Sequence, residues 1–195
     1  MIQIKTVEKN PDKRTSILNA CLKLFNETCF QDTSTARISQ EAGIATGTLF
    51  LYFENKEELV NELYLECKND YATYMETGFE EHKTFKTQLR YIWDRNLDWK
   101  LNNPQKLKFM MQFCSSPYIT KMTKEKALNR LSLINDVVKE AINNKEVSAS
   151  STELLTGMIS GYFHTAALFL LEHQNNKNLK KWSEESFNFL WKGIN

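Results

Sequence analysis

Residues 34–56 read STARISQEAGIATGTLFLYFENK, and the place of Gly43 within them decides the fold. The stretch reads as two short helices joined by a tight turn, followed by the start of a third. Gly43 stands at the pivot, where a helix-turn-helix needs a residue that tolerates positive φ. Ile38, Ala42, Ile44, Leu49 and Tyr52 fall at the offsets where the two helices bury side chains against each other. Ser39 is small where they cross. The second helix, from about Thr46 to Tyr52, turns Thr46, Thr48 and Phe50 outward, as a helix laid in a DNA major groove would. A plain helical hairpin explains the apolar spacing, but not Gly43, Ser39 and the outward threonines together.

Outward from this stretch, the rest of the chain also reads as helices. All three prolines follow a capping residue, in Asn10-Pro11, Asn103-Pro104 and Ser116-Pro117, which predicts three helix beginnings. The first helix runs from Pro11 to about Thr28, and the helix after it is capped by Thr33 or Ser34. A fourth begins at Asn55, with Glu58 in capping-box position, and reaches Thr77, where Gly78 stops it. Further helices are expected over Thr84 to Leu101, Pro104 to Cys114, Pro117 or Thr123 to Asn144, Ser150 to Glu172 and Ser183 to Ile194. No segment alternates as a strand. The fold class is therefore all-α with about nine helices. A helix-turn-helix head would occupy residues 1–60, and a ligand-binding and dimerisation domain residues 61–195.

Composition bounds the function. The chain has 195 residues and a net charge of +1. Residues 1–60 carry seven basic and eight acidic side chains, so any duplex contact must come from a few placed cations, helix N-termini and hydroxyls. The N-terminus lacks the apolar core of a secretory signal. The longest apolar run, AALFLL at 166–171, is far shorter than a bilayer span, so cytoplasm is the expected location. The four cysteines are scattered without zinc-ligand spacing, and Cys21 and Cys67 read as packing. The three histidines form no metal-ligand cluster in sequence. There is no nucleophile motif, phosphate loop or paired carboxylate in an apolar setting, so neither an enzyme, a metal nor a cofactor is expected.

The second half is rich in aromatic and methionine side chains. Trp93, Trp99, Met110, Phe113 and Tyr162 suit an apolar pocket between helices, with Asn96 as its polar contact. A small apolar or amphipathic effector is the expected ligand. One helix-turn-helix seldom reads enough base pairs, so a two-fold homodimer is expected. Gly157 and Gly161, one turn apart, permit close helix approach. His164, Leu168, Phe187, Leu190, Trp191 and Ile194 complete the expected interface.

The segments ILNACLKLFNETCF and TSTARISQEAGIATGTLFLYFENKEEL resemble the TetR family of one-component bacterial regulators, over about Lys13 to Leu59. Nine helices with a long fourth helix suit that family's architecture. The resemblance implies base-edge or groove contacts from Thr46, Gly47, Thr48 and Phe50. It implies phosphate contacts from Thr35, Tyr52 and Lys56, with Ser34 capping a helix that faces a phosphate and Arg37 projecting toward the groove edge. The sequence departs from the family's pattern at three positions. Cys29 stands where a glycine is usual, so a left-handed turn there would cost about 1 kcal/mol. Ala45 replaces a serine cap, a loss of about 1 kcal/mol. Phe50 replaces a tyrosine, which favours an apolar contact such as a thymine methyl.

The expected function is a ligand-responsive repressor bound to a palindromic operator in double-stranded DNA. The alternative is a helical protein-interaction module whose acidic, weakly capped head has lost DNA binding.

Overall fold

The structure, a computed structural model, describes residues 11–194. Among these are ten α-helices, one 3-10 turn and no strand: α1 (Pro11–Glu27), α2 (Thr35–Glu41), α3 (Thr46–Tyr52), α4 (Lys56–Glu76), α5 (Phe85–Asn102), α6 (Pro104–Phe113), α7 (Lys121–Arg130), α8 (Leu133–Asn143), α9 (Thr152–Glu172) and α10 (Leu179–Ile194). The protein is all-α, as its periodicity indicates. The Asn10 cap expected for the first helix lies outside the described residues.

Several helix boundaries differ from expectation: α10 begins at Leu179 rather than Ser183, and Ser151 rather than Ser150 caps α9. Pro117 starts no helix; it sits in a turn where the Ser116 hydroxyl accepts from the Tyr118 amide at 3.1 Å, and the Thr120 hydroxyl accepts from the Thr123 amide at the start of α7. The helix expected to reach Asn144 is broken at Leu131-Ser132 into α7 and α8. Its apolar stripe continues across the break, so spacing gave no warning. Ser132, a residue type that competes for backbone hydrogen bonds, stands at the join.

The chain divides into two compact units, one of residues up to Cys67 with Gln105–Lys126, the other of Lys68–Pro104 with the residues from Ala127 onward. In the first unit an aromatic cluster joins α1 to α6. Phe25 lies 5.5 Å from Phe113 and 5.8 Å from Phe30, centroid to centroid, and Phe30 stacks on Tyr118 at 3.8 Å. Polar clasps reinforce it: Asn26 Nδ2 donates to the Gln105 carbonyl and Lys108 Nζ to the Asn26 carbonyl, at 2.9 and 2.7 Å. Asn61, buried, donates to the Tyr118 carbonyl and accepts from the Thr120 amide. The α6 segment is thus part of the head, an arrangement no single cut in the sequence can express.

The second unit is built on α5, whose Trp93 is fully buried among residues of α8, α9 and α10. Its indole nitrogen donates to the Ser183 hydroxyl at 3.2 Å, which satisfies both polar atoms inside an apolar core. Thr84 and Thr87 cap α5 with a reciprocal capping box.

Although its longest apolar run is short, α9 as a whole is long and apolar enough to cross a membrane by length and composition. Only 28% of its apolar window is buried. Leu155, Ile159, Phe163, Ala167 and Leu170 face the core, while Leu154, Met158 and Phe169 are exposed.

Candidate nucleic-acid interface

The helix-turn-helix is held by local bonds that its sequence dictates. Ser34, not Thr33, caps α2, its hydroxyl accepting from the Arg37 amide at 3.2 Å. Thr33 is buried and donates to the Cys29 carbonyl at 3.0 Å. Ser39 is buried at the crossing and donates to the Thr35 carbonyl at 2.9 Å, so its small polar side chain leaves no unpaired hydroxyl. Gly43 has φ +67°, the left-handed conformation its position requires, and its amide bonds the Gln40 carbonyl while that of Ile44 bonds Ser39. The left-handed residue expected at Cys29 is absent: among the described non-glycine residues only Lys145 has positive φ. The loop after α1 closes without that strain.

The second helix of the motif, α3, presents two faces. Leu49 and Tyr52 are buried, as is Phe53 beyond its end. Thr46, Gly47 and Phe50 are exposed and Thr48 is half-buried. Leu51, which sequence reasoning passed over, is exposed beside them. Ala45 offers no side-chain cap, as its chemistry requires. A Cβ added to Gly47 would meet nothing within 4 Å. No internal contact therefore demands a glycine there, although glycine costs a helix roughly 0.5–1 kcal/mol relative to alanine.

Two residues expected to touch phosphate are placed otherwise. Tyr52 is buried against the head. Lys56 turns inward: its ammonium donates to the Phe30 and Thr33 carbonyls at 2.7 and 3.0 Å and lies over the Phe30 ring. It clasps the α1–α2 loop that carries the Ser34 cap. Three other cations of the head are paired with acids. Arg37 sits 3.6 Å from Glu27, Lys23 2.7 Å from Glu41, and Arg14 bridges Glu62 and Glu66. Thr35 is half-buried at the first position of α2. At the start of α4, Asn55 Oδ1 accepts from the Glu58 amide, and the Glu58 carboxylate accepts from the amide of Glu54.

The residues expected to line one effector pocket fall into both units. Met110 and Phe113 are buried in the first, in the α6 segment of the head. Trp93, Asn96, Trp99 and Tyr162 belong to the second. There, Asn96 is buried and accepts from the Tyr71 hydroxyl at 3.0 Å. Trp99 lies 5.0 Å from the Tyr71 ring and donates to Asp70, and Tyr162 donates to the Ser186 carbonyl. An open cleft of about 390 Å³ in this unit is lined instead by Arg90, Asp94, Leu97, Leu179, Lys180, Ser183 and Glu184. Arg90 spans it with two bonds to Glu184, which hold that carboxyl below its usual value.

Of the residues expected at a dimer interface, Gly157 and Gly161 are exposed, with open space where a Cβ would stand. His164 and Leu168 are half-buried. Phe187 and Leu190 are core residues instead, because they form the inward stripe of α10, and Trp191 and Ile194 pack against that core. The outward aromatic of α10 is Phe189, 74% exposed and stacked 6.2 Å from Tyr162. Among the described residues, no three histidine, cysteine or acidic side chains could hold a metal ion.

A glycine-pivoted helix pair with an outward second helix, beside a second helical unit, defines a helix-turn-helix protein. Residues 17–63 match the family model described as bacterial regulatory proteins, tetR family. The chain is 31% identical over 85 residues to the fatty acid metabolism regulator protein of Bacillus subtilis, covering 44% of this chain and 43% of that one. It spans about half the length of the curated relatives it matches first. A structure from Shewanella sp. PV-4, assigned to the tetR family of transcription regulators, superposes with a TM-score of 0.84 at 28% identity, over 93% of this chain and 97% of that one. The regulator FadR from Bacillus subtilis, solved in complex with stearoyl-CoA, has the same fold, with a TM-score of 0.77 at 21% identity over 93% and 99% of the two chains. Residues 17–63 thus carry the head of the tetR family of bacterial regulatory proteins, and the chain as a whole shares the fold of a tetR-family transcription regulator.

Proposed function

We propose that the protein is a homodimeric transcriptional repressor that leaves its operator when a small apolar or amphipathic effector binds. The observation that carries this reading is the outward face of α3. Thr46, Gly47 and Phe50 stand exposed, and the glycine is one that no internal packing explains. Threonine hydroxyls reach base edges or phosphates, Phe50 suits a thymine methyl, and Gly47 lets the helix backbone come close to the duplex.

The exposed apolar face of α9 supports pairing with a second copy. Leu154, Gly157, Met158, Gly161 and Phe169 recur at helical spacing, and Phe189 of α10 extends the patch. Two such faces brought together form a four-helix junction, with small residues at the crossing. The pair then sets the separation of two recognition helices, which must match successive major grooves roughly 34 Å apart. The second unit, with its aromatic interior, is the effector-binding part; the structure of FadR with stearoyl-CoA is an instance of this fold taking an amphipathic ligand. Effector acts by preferring the pair whose heads do not fit the grooves. A preference of about 100-fold supplies roughly 2.7 kcal/mol of coupling.

The test is fluorescence anisotropy with a labelled fragment of the promoter of this gene or of its neighbour. Specific binding that weakens steeply with salt is expected, with Thr46→Ala/Thr48→Ala losing specificity. The placing of Glu27 and Glu41 beside Arg37 and Lys23 favours a second reading, a protein-interaction module with no affinity for DNA. That reading stands if no duplex binds even at low salt.

A further inference from the structure

Lys100, on α5, is 7% exposed, and no hydrogen bond or ion pair reaches its ammonium among the described residues. Burial, and to a lesser extent the charge of Lys68, push its pKa down to about 8, and no carboxylate acts in the opposite direction. A buried charge without a partner is costly, and native proteins rarely keep one without a use.

One turn earlier on the same helix, Asn96 is 2% exposed. Its carbonyl oxygen is occupied by the Tyr71 hydroxyl, but its amide nitrogen has no partner. The pairing of α4 with α5 places more donors here. Tyr71 meets Asn96, Asp70 meets Trp99, and Arg95 donates to the Tyr74 carbonyl at 3.1 Å, so each step forward on α4 is a step back on α5. That antiparallel register puts Lys68 opposite Lys100. From α9, burial keeps the His164 imidazole below its ordinary value, with Lys100 and Lys68 acting in the same direction. Asp70, the acid of this neighbourhood, is exposed and accepts from the Trp99 indole. The cluster therefore offers donors and positive charge, with its amide acceptor already used. A carboxylate, with two oxygens and about four lone-pair directions, is the complementary group.

We propose that Lys100, with Lys68 opposite and the Asn96 amide one turn away, binds the carboxylate of an amphipathic acid whose apolar part lies against the aromatic side chains of the same unit. This deepens the effector reading given above and rests on it for the role of the second unit. Trp99 and Tyr71 form an aromatic wall beside the cluster.

The test is calorimetric titration of the full chain, without DNA, using dodecanoate and dodecanol as probes. The two share an apolar tail and differ in the charged head. A charged hydrogen bond in a buried site predicts at least about tenfold tighter binding of dodecanoate by the unaltered protein. Lys100→Met should weaken dodecanoate by about tenfold or more and leave dodecanol within about threefold. A thermal melt checks that Lys100→Met is folded; removal of an unpaired buried charge should leave it at least as stable. Equal affinity for the two probes, an equal loss of both in the variant, or no dodecanoate binding overturns the proposal. The unaltered protein alone decides the first and last of these. Loss of operator binding in a separate assay fails the repressor reading without altering any of these outcomes.

Discussion

The ammonium of Lys56 lies 2.7 Å from the carbonyl oxygen of Phe30 and 4.1 Å from the centroid of that residue's ring. A second bond, to the Thr33 carbonyl, makes this lysine the clasp that holds the approach to α2. Lys56→Met should therefore cost about 1–2 kcal/mol of stability, because two carbonyls lose a charged donor. Operator affinity should fall with the loosened loop, but the slope of log affinity against log salt should stay the same. A direct phosphate contact would lower that slope by about 1. Anisotropy titrations at several salt concentrations separate the two roles.

Gly43 and Gly47 should respond in opposite ways to alanine. At Gly43 the left-handed backbone makes any Cβ strained, and Gly43→Ala should destabilise the head by about 1–2 kcal/mol. At Gly47 the added methyl meets open space, so Gly47→Ala should leave stability unchanged or raise it by up to about 1 kcal/mol. Its DNA affinity should nevertheless drop. Chemical denaturation beside a binding assay reads both; a Gly47→Ala protein that binds DNA normally removes the close-approach role.

Two phenylalanines two residues apart on α10 should likewise separate. Phe187 is in the core, and Phe187→Ala should cost about 3–5 kcal/mol. Phe189→Ser, paired with Met158→Glu on α9, should leave the melting behaviour of the folded subunit nearly intact while converting dimer to monomer in sedimentation velocity. A double variant that remains dimeric places the interface elsewhere.

The pH dependence of stability should carry the mark of Lys100. In the fold this lysine loses its proton at about 8, against an ordinary value of 10.5. Between these values the unfolded chain binds more protons than the folded one, so stability rises with pH across the window. Lys100→Met lacks this gain. The variant's advantage over the unaltered protein, on the order of 3 kcal/mol at neutral pH, should shrink as pH rises from 8 to 10.5. Paired melts across that range measure it.

The head was legible in the sequence because its restraints are local. Gly43 must take positive φ, Ser34 must cap, Ser39 must be small, and each requirement is met within a few residues. The inward turn of Lys56 was not legible, because its partners lie 23 and 26 positions away in a loop. The break at Ser132 left no trace in a stripe that runs through it. On α10, periodicity found the stripe holding Phe187 and Leu190, yet a stripe does not say whether it meets its own chain or another. The apolar residue off the stripe, Phe189, is exposed and stacks on Tyr162. Lys100 gave no signal in the sequence, on a helix that also carries Lys86, Arg90 and Arg95; its burial alone sets it apart.

The interleaving of Gln105–Lys126 with the head has a practical outcome for domain exchange. A fragment ending at Cys67 would leave Phe25 and Phe30 facing water where Phe113 and Tyr118 now cover them. Grafting this reader onto another sensor thus requires transplanting two separate pieces, and a chimera joined only in the middle of α4 would be sticky and short-lived.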